Sequence, residues 1–346
     1  MNHIQHLINK QSSVRDALIL LDKLSLDAIL FVMNDRNQLI GSLTDGDIRR
    51  GFIKGLDFSD PLSSFMNHKP FFIRENQYTL DEIESYSKYR IIPIVNIENH
   101  IIDILNFRFQ QTILPINAVI MAGGKGQRLL PLTELTPKPL LFVGDKPILE
   151  HNIDRLIKVG VKNISISINY LAEQIVDYFK DGDSKGIKID YIQENKPLGT
   201  IGSILLKDEF IYDDILVMNS DILTNIDLYD FFKTYKNCIA DIAIAAVGYK
   251  VKIPYGVLQT NEENTVMSIN EKPTYTYFSN AGIYLLKKEL LSLIPKETFY
   301  DITDLLERAM EMNYKLITYP INGYWLDIGN HEDYLKAQED IKHIKL

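Results

Sequence analysis

The chain has 346 residues, 46% of them hydrophobic and 24% charged, an ordinary globular balance. That length predicts two domains, and the composition excludes a disordered chain, a collagen-like repeat and a disulfide-stapled scaffold. Thirty-seven basic against 46 acidic residues leave a net charge of −9, which argues against a broad nucleic-acid or anionic-membrane surface. Cys238 is the sole cysteine, so neither an intrachain disulfide nor a cysteine-rich metal site is expected. Neither a signal-peptide core at the start nor an apolar run of membrane-spanning length is apparent, and a reducing cytoplasm is the expected compartment.

The first third contains an internal repeat. Phe31 to Ile40 aligns with Pro93 to Ile102 at an offset of 62 residues, from Asn34 to Asn96. Each copy reads as an apolar strand, an Asn-rich turn and a second strand. A helical stretch precedes each hairpin, Val14 to Leu24 and Leu80 to Tyr89. Such units pack against each other, because neither buries its apolar face alone.

The first copy continues Gly41-Ser42-Leu43-Thr44-Asp45-Gly46-Asp47-Ile48-Arg49-Arg50. A hydroxyl residue at a helix start, beside free N–H groups, suits an anion. This stretch resembles the closing motif of a CBS domain. The resemblance implies that Thr44 holds a phosphate and Asp47 the ribose hydroxyls of a regulatory nucleotide. Both residues also suit helix capping, and the sequence leaves the two roles open. In the second copy Asp103, Asn106 and Phe109 occupy the matching positions. A carboxylate there repels phosphate and Phe109 cannot bind a ribose, so one site per CBS pair is expected. The pair (α+β) spans residues 1–112, with a linker at 113–116.

From Ala118-Val119-Ile120-Met121 onward, short apolar strands alternate with amphipathic helices. Val161–Asn169 precedes Ala172–Phe179, and Asp214–Asn219 precedes Leu228–Tyr235. This alternation predicts an α/β domain over 117–346 with a mostly parallel, Rossmann-like sheet. Asn330 to Lys342 reads as a final helix capped by Asn330. No hexapeptide repeat follows, so no β-helix tail is expected.

The loop after the first strand of that domain runs Ala122-Gly123-Gly124-Lys125-Gly126-Gln127-Arg128-Leu129, then Thr136-Pro137-Lys138-Pro139. Three glycines let the backbone approach a polyphosphate and aim N–H groups at it. No Gly-Lys-Ser/Thr follows, as a Walker loop requires, and the third glycine of a dinucleotide fingerprint is missing. Arg128 offers a bidentate fork and Lys138 a point charge fixed between prolines.

This arrangement resembles the signature of the sugar-1-phosphate nucleotidyltransferases, whose fold is Rossmann-like and GT-A-like. The resemblance gives Arg128 and Lys138 catalytic roles on the triphosphate. It places Ala122, Gly123, Gly124 and Gly126 at the nucleotide, with Gln193, Gly199 and Thr200 from Gln193-Glu194-Asn195-Lys196-Pro197-Leu198-Gly199-Thr200. Asp221, closing Asn219-Ser220-Asp221, and Asp327, within Trp325-Leu326-Asp327-Ile328-Gly329-Asn330, become Mg²⁺ ligands. Gly256, Glu271, Lys272 and Asn280 fall on the sugar-phosphate side. Gln127 is a departure, since many members carry Thr or Ser there, but an amide still donates to a phosphate oxygen.

The implied reaction is attack of a sugar-1-phosphate oxygen on the α-phosphate of a nucleoside triphosphate, releasing pyrophosphate. The nucleophile is already an anion, so alignment and charge stabilisation replace a general base. A CBS pair ahead of a short transferase looks most like the guanylyltransferases that make GDP-glucosamine for legionaminic-acid synthesis. That implies GTP and glucosamine-1-phosphate as substrates and a homo-oligomer as the assembly. Mannose-1-phosphate guanylyltransferase is the alternative within the family, and a CBS-based nucleotide sensor the alternative outside it.

Overall fold

The computed structural model describes residues 3–344. The chain divides into two compact units. One holds residues 1–115 with 157–162 and 183–187; the other holds 116–156, 163–182 and 188–346.

In the first unit the chain folds twice in the same way. β1 (Leu7–Asn9) pairs in parallel with β2 (Leu30–Met33), which pairs antiparallel with β3 (Leu39–Leu43). β4 (Ile73–Arg74), β5 (Ile91–Val95) and β6 (Ile101–Asn106) repeat that pattern. The two turns are alike in detail. Asn34 and Asn96 each accept two backbone N–H groups, and Asn37 and Asn99 both adopt the left-handed region at φ 57° and 65°. Asparagine tolerates that region better than other side chains, which explains the Asn-rich turns.

The helices diverge between copies. α1 (Val14–Leu24) runs the expected length behind a Ser13–Asp16 capping box, and α2 (Asp45–Ile53) follows β3. α3 (Leu80–Ser85) stops short of the expected Tyr89. There the backbone tightens into i→i+3 bonds, Tyr86 to Ile83 and Tyr89 to Tyr86, while both tyrosine rings pack on Phe71. Each copy has its own core, built around Leu21, Leu30 and Leu43 in one and Ile73, Ile83 and Leu105 in the other. Phe31 and Met33 meet Ile91, Val95 and Ile104 in a third cluster that joins the copies, as the repeat predicts. Each fully buried side chain of this size contributes about 1.5–3 kcal/mol.

The second unit centres on a seven-stranded sheet. In chain order it begins with β7 (Ile116–Met121), the short pair β8 (Phe142–Val143) and β9 (Lys146–Pro147), and α4 (Ile148–Lys158). β10 (Asn163–Ile168), α5 (Ala172–Phe179), β11 (Lys188–Gln193), β12 (Asp214–Asn219), β13 (Ile222–Thr224) and α6 (Leu228–Asn237) follow. Then come β14 (Ile242–Lys252), β15 (Val257–Thr260), β16 (Val266–Asn270) and β17 (Thr274–Lys287). α7 (Ile302–Glu311), β18 (Leu316–Pro320), β19 (Trp325–Asp327) and α8 (His331–Asp340) complete it. The sheet order is β11-β10-β7-β12-β17-β14-β18. Only the β12–β17 and β17–β14 pairings are antiparallel, so the sheet is mostly parallel as expected. α7 buries Ile302, Leu305, Leu306 and Ala309, one face at helical spacing, against Val217, Ile242 and Tyr284 of the sheet. Asn330 caps α8 by accepting the Asp333 N–H at 3.1 Å.

Candidate active site

At the carboxyl ends of β7 and β12, where parallel strands leave a crevice, lies a cleft of about 780 Å³. Its lining contains Gly123, Gly124, Gly126, Arg128, Lys138, Gly199, Thr200 and Asp221, eight of the residues singled out from sequence. The glycine loop leaves β7 with the Ala122 N–H bonded to the Ser167 carbonyl at 2.8 Å, which anchors it to β10. Gly126 is left-handed at φ 60°, and a Cβ there would meet Thr133 at 3.0 Å and Lys138 at 3.1 Å. Only glycine fits that corner without strain. The Gly123, Gly124 and Gly126 N–H groups have no acceptor among the described residues, as a phosphate cradle needs.

Lys138 is buried, 8% exposed, and its ammonium pairs with Asp221. Pro137 and Pro139 explain the rigidity: they flank it in a short 3₁₀ turn that aims the side chain inward. Asp221 sits in the turn between β12 and β13. β13 pairs antiparallel with β19, placing Ile222 opposite Asp327, and the Ile328 N–H bonds the Asp221 carbonyl at 3.0 Å. Thus the fold joins two carboxylates that 106 residues of chain separate. Burial around Asp327, then the charge of Asp221, raise its carboxyl above the usual range against the pull of Lys138 and Arg128. Asp221 Oδ1 is buried with no hydrogen-bond partner. An orphaned carboxylate oxygen beside a second carboxylate fits a hard cation that takes its remaining ligands from phosphate and water. Among the described residues no group of three or more His, Cys, Asp or Glu forms a complete protein-only metal cage.

Four further residues of the wall carried no assignment from sequence. Glu194, buried, accepts the Ser167 hydroxyl at 2.8 Å and the Leu198 N–H at 3.2 Å, and its Oε1 lies 2.9 Å from where a Cβ on Gly123 would stand. It thereby links Ser167 of β10 to the Leu198 backbone, close against Gly123 of the glycine loop. Asn169, Phe299 and Asp301 also line the cleft. Glu194 adjoins the chosen Gln193 and could have been found from the motif; Phe299 and Asp301 carry no local signal.

The remaining candidates stand elsewhere. Gln193 ends β11, exposed and outside the lining. Gly256, Glu271 and Lys272 lie on the β15–β16 hairpin or the turns that join it to β14 and β17, exposed and outside the lining. Gly256 and Glu271 adjoin, since a Cβ on Gly256 would meet Glu271 Oε2 at 2.9 Å. Asn280 stands at the foot of this arm and accepts the Gly282 N–H at 2.9 Å. Gly282 in turn packs against Asn219, which does line the cleft.

The first unit has a cleft of its own, of about 1130 Å³, lined by Thr44, Asp47, Arg50, Lys54, Lys88 and Arg90 among others. Thr44 caps α2 in a box with Asp47: the Asp47 N–H reaches the Thr44 hydroxyl at 3.3 Å, and Asp47 Oδ2 accepts the Thr44 N–H at 2.9 Å. Capping and cleft lining therefore coincide in the same two residues. In the second copy Asn106 bonds Asp27 at 3.1 Å and no helix follows.

Residues 117–344 match the nucleotidyl transferase family, and residues 6–54 match the CBS domain. The bifunctional protein GlmU of Methanococcus maripaludis is 37% identical over 231 residues, 64% of this chain and 53% of that protein. A mannose-1-phosphate guanyltransferase of Yarrowia lipolytica is 32% identical over 236 residues, 64% of this chain and 63% of that one. The crystal structure of HddC from Yersinia pseudotuberculosis complexed with GMP-PN aligns with a TM-score of 0.51 at 29% identity, covering 65% of this chain and 99% of that one. The chain spans about half the length of the GlmU relative. With the glycine loop, the cations and Asp221 brought to one cleft of this sheet and Asp327 set beside Asp221, the chain belongs to the nucleotidyl transferase family.

Proposed function

We propose that this chain is a sugar-1-phosphate nucleotidyltransferase, condensing a nucleoside triphosphate with a sugar-1-phosphate and releasing pyrophosphate. The observation that carries the reading is the convergence of the glycine loop, Arg128, Lys138 and Asp221 at one cleft, with Asp327 set beside Asp221 by the β13–β19 pairing. The loop N–H groups and Arg128 hold the triphosphate in line, and Lys138 offers its ammonium to charge developing at the α-phosphate. Asp221 and Asp327 would hold a divalent metal, Mg²⁺ in this reading, whose bound charge offsets that of the phosphates. By resemblance Gly256, Glu271, Lys272 and Asn280 serve the sugar-phosphate.

GTP and glucosamine-1-phosphate are the favoured pair, as in the making of GDP-glucosamine for legionaminic acid. The CBS domain ahead of the transferase supports that choice, and so does the GMP-PN complex of HddC. The cleft of the first unit takes one regulatory nucleotide at Thr44 and Asp47, in a homo-oligomer of the cytoplasm. A pyrophosphate-release screen of the four common triphosphates against glucosamine-, N-acetylglucosamine-, glucose- and mannose-1-phosphate tests this. GTP with glucosamine-1-phosphate should give the highest kcat/KM. An equal or better rate with mannose-1-phosphate transfers the assignment to mannose-1-phosphate guanylyltransferase, and no turnover with any pair leaves only a nucleotide sensor.

A further inference from the structure

Three carboxylates line the active-site cleft: Glu194, Asp221 and Asp301. Two are accounted for inside the protein. Glu194 is held by Ser167 and Leu198, and Asp221 is paired with Lys138. Asp301 differs, because it has no ion-pair partner among the described residues. Its Oδ1 accepts the Thr200 N–H at 2.9 Å and the Thr200 hydroxyl at 3.1 Å. The Thr200 hydroxyl oxygen in turn accepts the Ile302 N–H at 2.8 Å. Asp301 also caps α7 in a box with Asp304: its side chain takes the Asp304 N–H, and Asp304 accepts the Asp301 N–H at 2.8 Å.

The surrounding backbone fixes this corner firmly. The Tyr300 N–H bonds the Leu198 carbonyl at 3.0 Å, and the Ile201 and Gly202 N–H groups both reach the Tyr300 carbonyl at 3.2 Å. Gly199 is left-handed at φ 78°, with the Tyr300 oxygen 2.5 Å from where a Cβ would stand. The Phe299 ring, 59% exposed, adds an apolar surface on the same wall. A carboxylate accepts about four hydrogen bonds, and Thr200 and the Asp304 N–H use three, which leaves acceptor capacity for one more. The α7 N-terminus offsets part of this charge, but a carboxylate without a cation in a cleft that admits polyphosphates still costs free energy by repulsion. A donor on the ligand offsets that cost.

We propose that Asp301 is a specificity-determining residue that accepts a nitrogen-borne hydrogen bond from the substrate pair. This rests on the transferase reading above and deepens it. Two sources carry the required chemistry: the ammonium of a 2-amino sugar-1-phosphate, and the N1–H and 2-amino edge of guanine. Glu271, the carboxylate that the resemblance places on the sugar-phosphate side, lies on the exposed arm outside the lining, whereas Asp301 lines the cleft.

The test compares the wild type with Asp301→Asn and Asp301→Ala by pyrophosphate release. Asn keeps an oxygen for Thr200 and the cap position, so Asp301→Asn isolates the lost charge from any loss of fold. With the nucleotide fixed, a ten-fold or greater fall in the kcat/KM ratio of glucosamine- over glucose-1-phosphate assigns the ammonium. With the sugar fixed, a similar fall in the ratio of GTP over UTP assigns guanine. If both ratios hold while every pair slows alike, Asp301 serves only to position Thr200 and the inference is overturned. A wild type that turns over no sugar-1-phosphate overturns the functional reading itself, and this inference with it.

Discussion

The two clefts of this chain are both rich in cations, yet they treat their carboxylates in opposite ways. In the first unit Asp47 is satisfied by Thr44 and by Arg50 at 2.6 Å, and Asp27 by Asn106 and by Arg108 at 2.8 Å. Lys54, Lys88 and Arg90 then remain as a basic wall beside the Phe71 and Tyr89 rings, whose centroids lie 4.6 Å apart. In the second unit Asp221 keeps an orphaned buried oxygen, and the carboxyl of Asp327 is raised above its usual range by burial and by the Asp221 charge. Acids settled internally suit a cleft for an anion alone, whereas perturbed, unsatisfied acids beside a cleft fit the proposed chemistry better than storage.

The largest effect should come from removing those acids. Asp221→Asn and Asp327→Asn should each reduce metal-supported pyrophosphate release to background, because an amide is a poor substitute for a hard anionic ligand. Full activity of the wild type in excess EDTA would erase the distinction between the clefts. Lys138→Ala and Arg128→Ala should fold and lose roughly 10²–10³ in turnover, the scale of one preorganised contact. Circular dichroism alongside the rate assay separates this from unfolding.

A smaller effect should appear at the far wall. Gly199→Ala places a Cβ against the Tyr300 oxygen at a left-handed position, a strain of roughly 1–3 kcal/mol. It should lower Tm and raise KM for the triphosphate more than for the sugar-phosphate. The smallest effect belongs to the first unit. Thr44→Ala should cost about 1 kcal/mol of stability through the lost cap and weaken the proposed nucleotide binding in that cleft. Calorimetry on the full chain carrying Lys138→Ala counts it, and two equivalent nucleotides outside the active site would break the asymmetry between Thr44 and Asn106.

The two units were legible in the sequence to different depths. In the first, the 62-residue offset brought out both hairpins, because Asn34, Asn37, Asn96 and Asn99 determine turn geometry locally. The early end of α3 escaped notice, since packing of the Tyr86 and Tyr89 rings on Phe71 decides it. In the second, the glycine loop, Lys138 and Asp221 stood out because their chemistry is written in short spacings. Phe299 and Asp301 did not, because their membership of the cleft depends on contacts across a hundred residues to Gly199 and Thr200. Pattern also said nothing of how far the arm bearing Glu271 and Lys272 extends from the sheet, since an exposed hairpin and a covered one share the same alternation.

The β13–β19 pairing has a consequence for the order in which the protein is made. Asp221 leaves the ribosome 106 residues ahead of Asp327, an interval of roughly 5–20 s at ordinary elongation rates. During that interval the glycine loop, Lys138 and Asp221 already exist, but the strand that presents the second carboxylate does not. A nascent chain is therefore equipped with a lysine to quench Asp221 before any partner acid arrives. Any truncation between residues 221 and 327 should leave a chain with one of the two carboxylates, electrically settled and chemically silent.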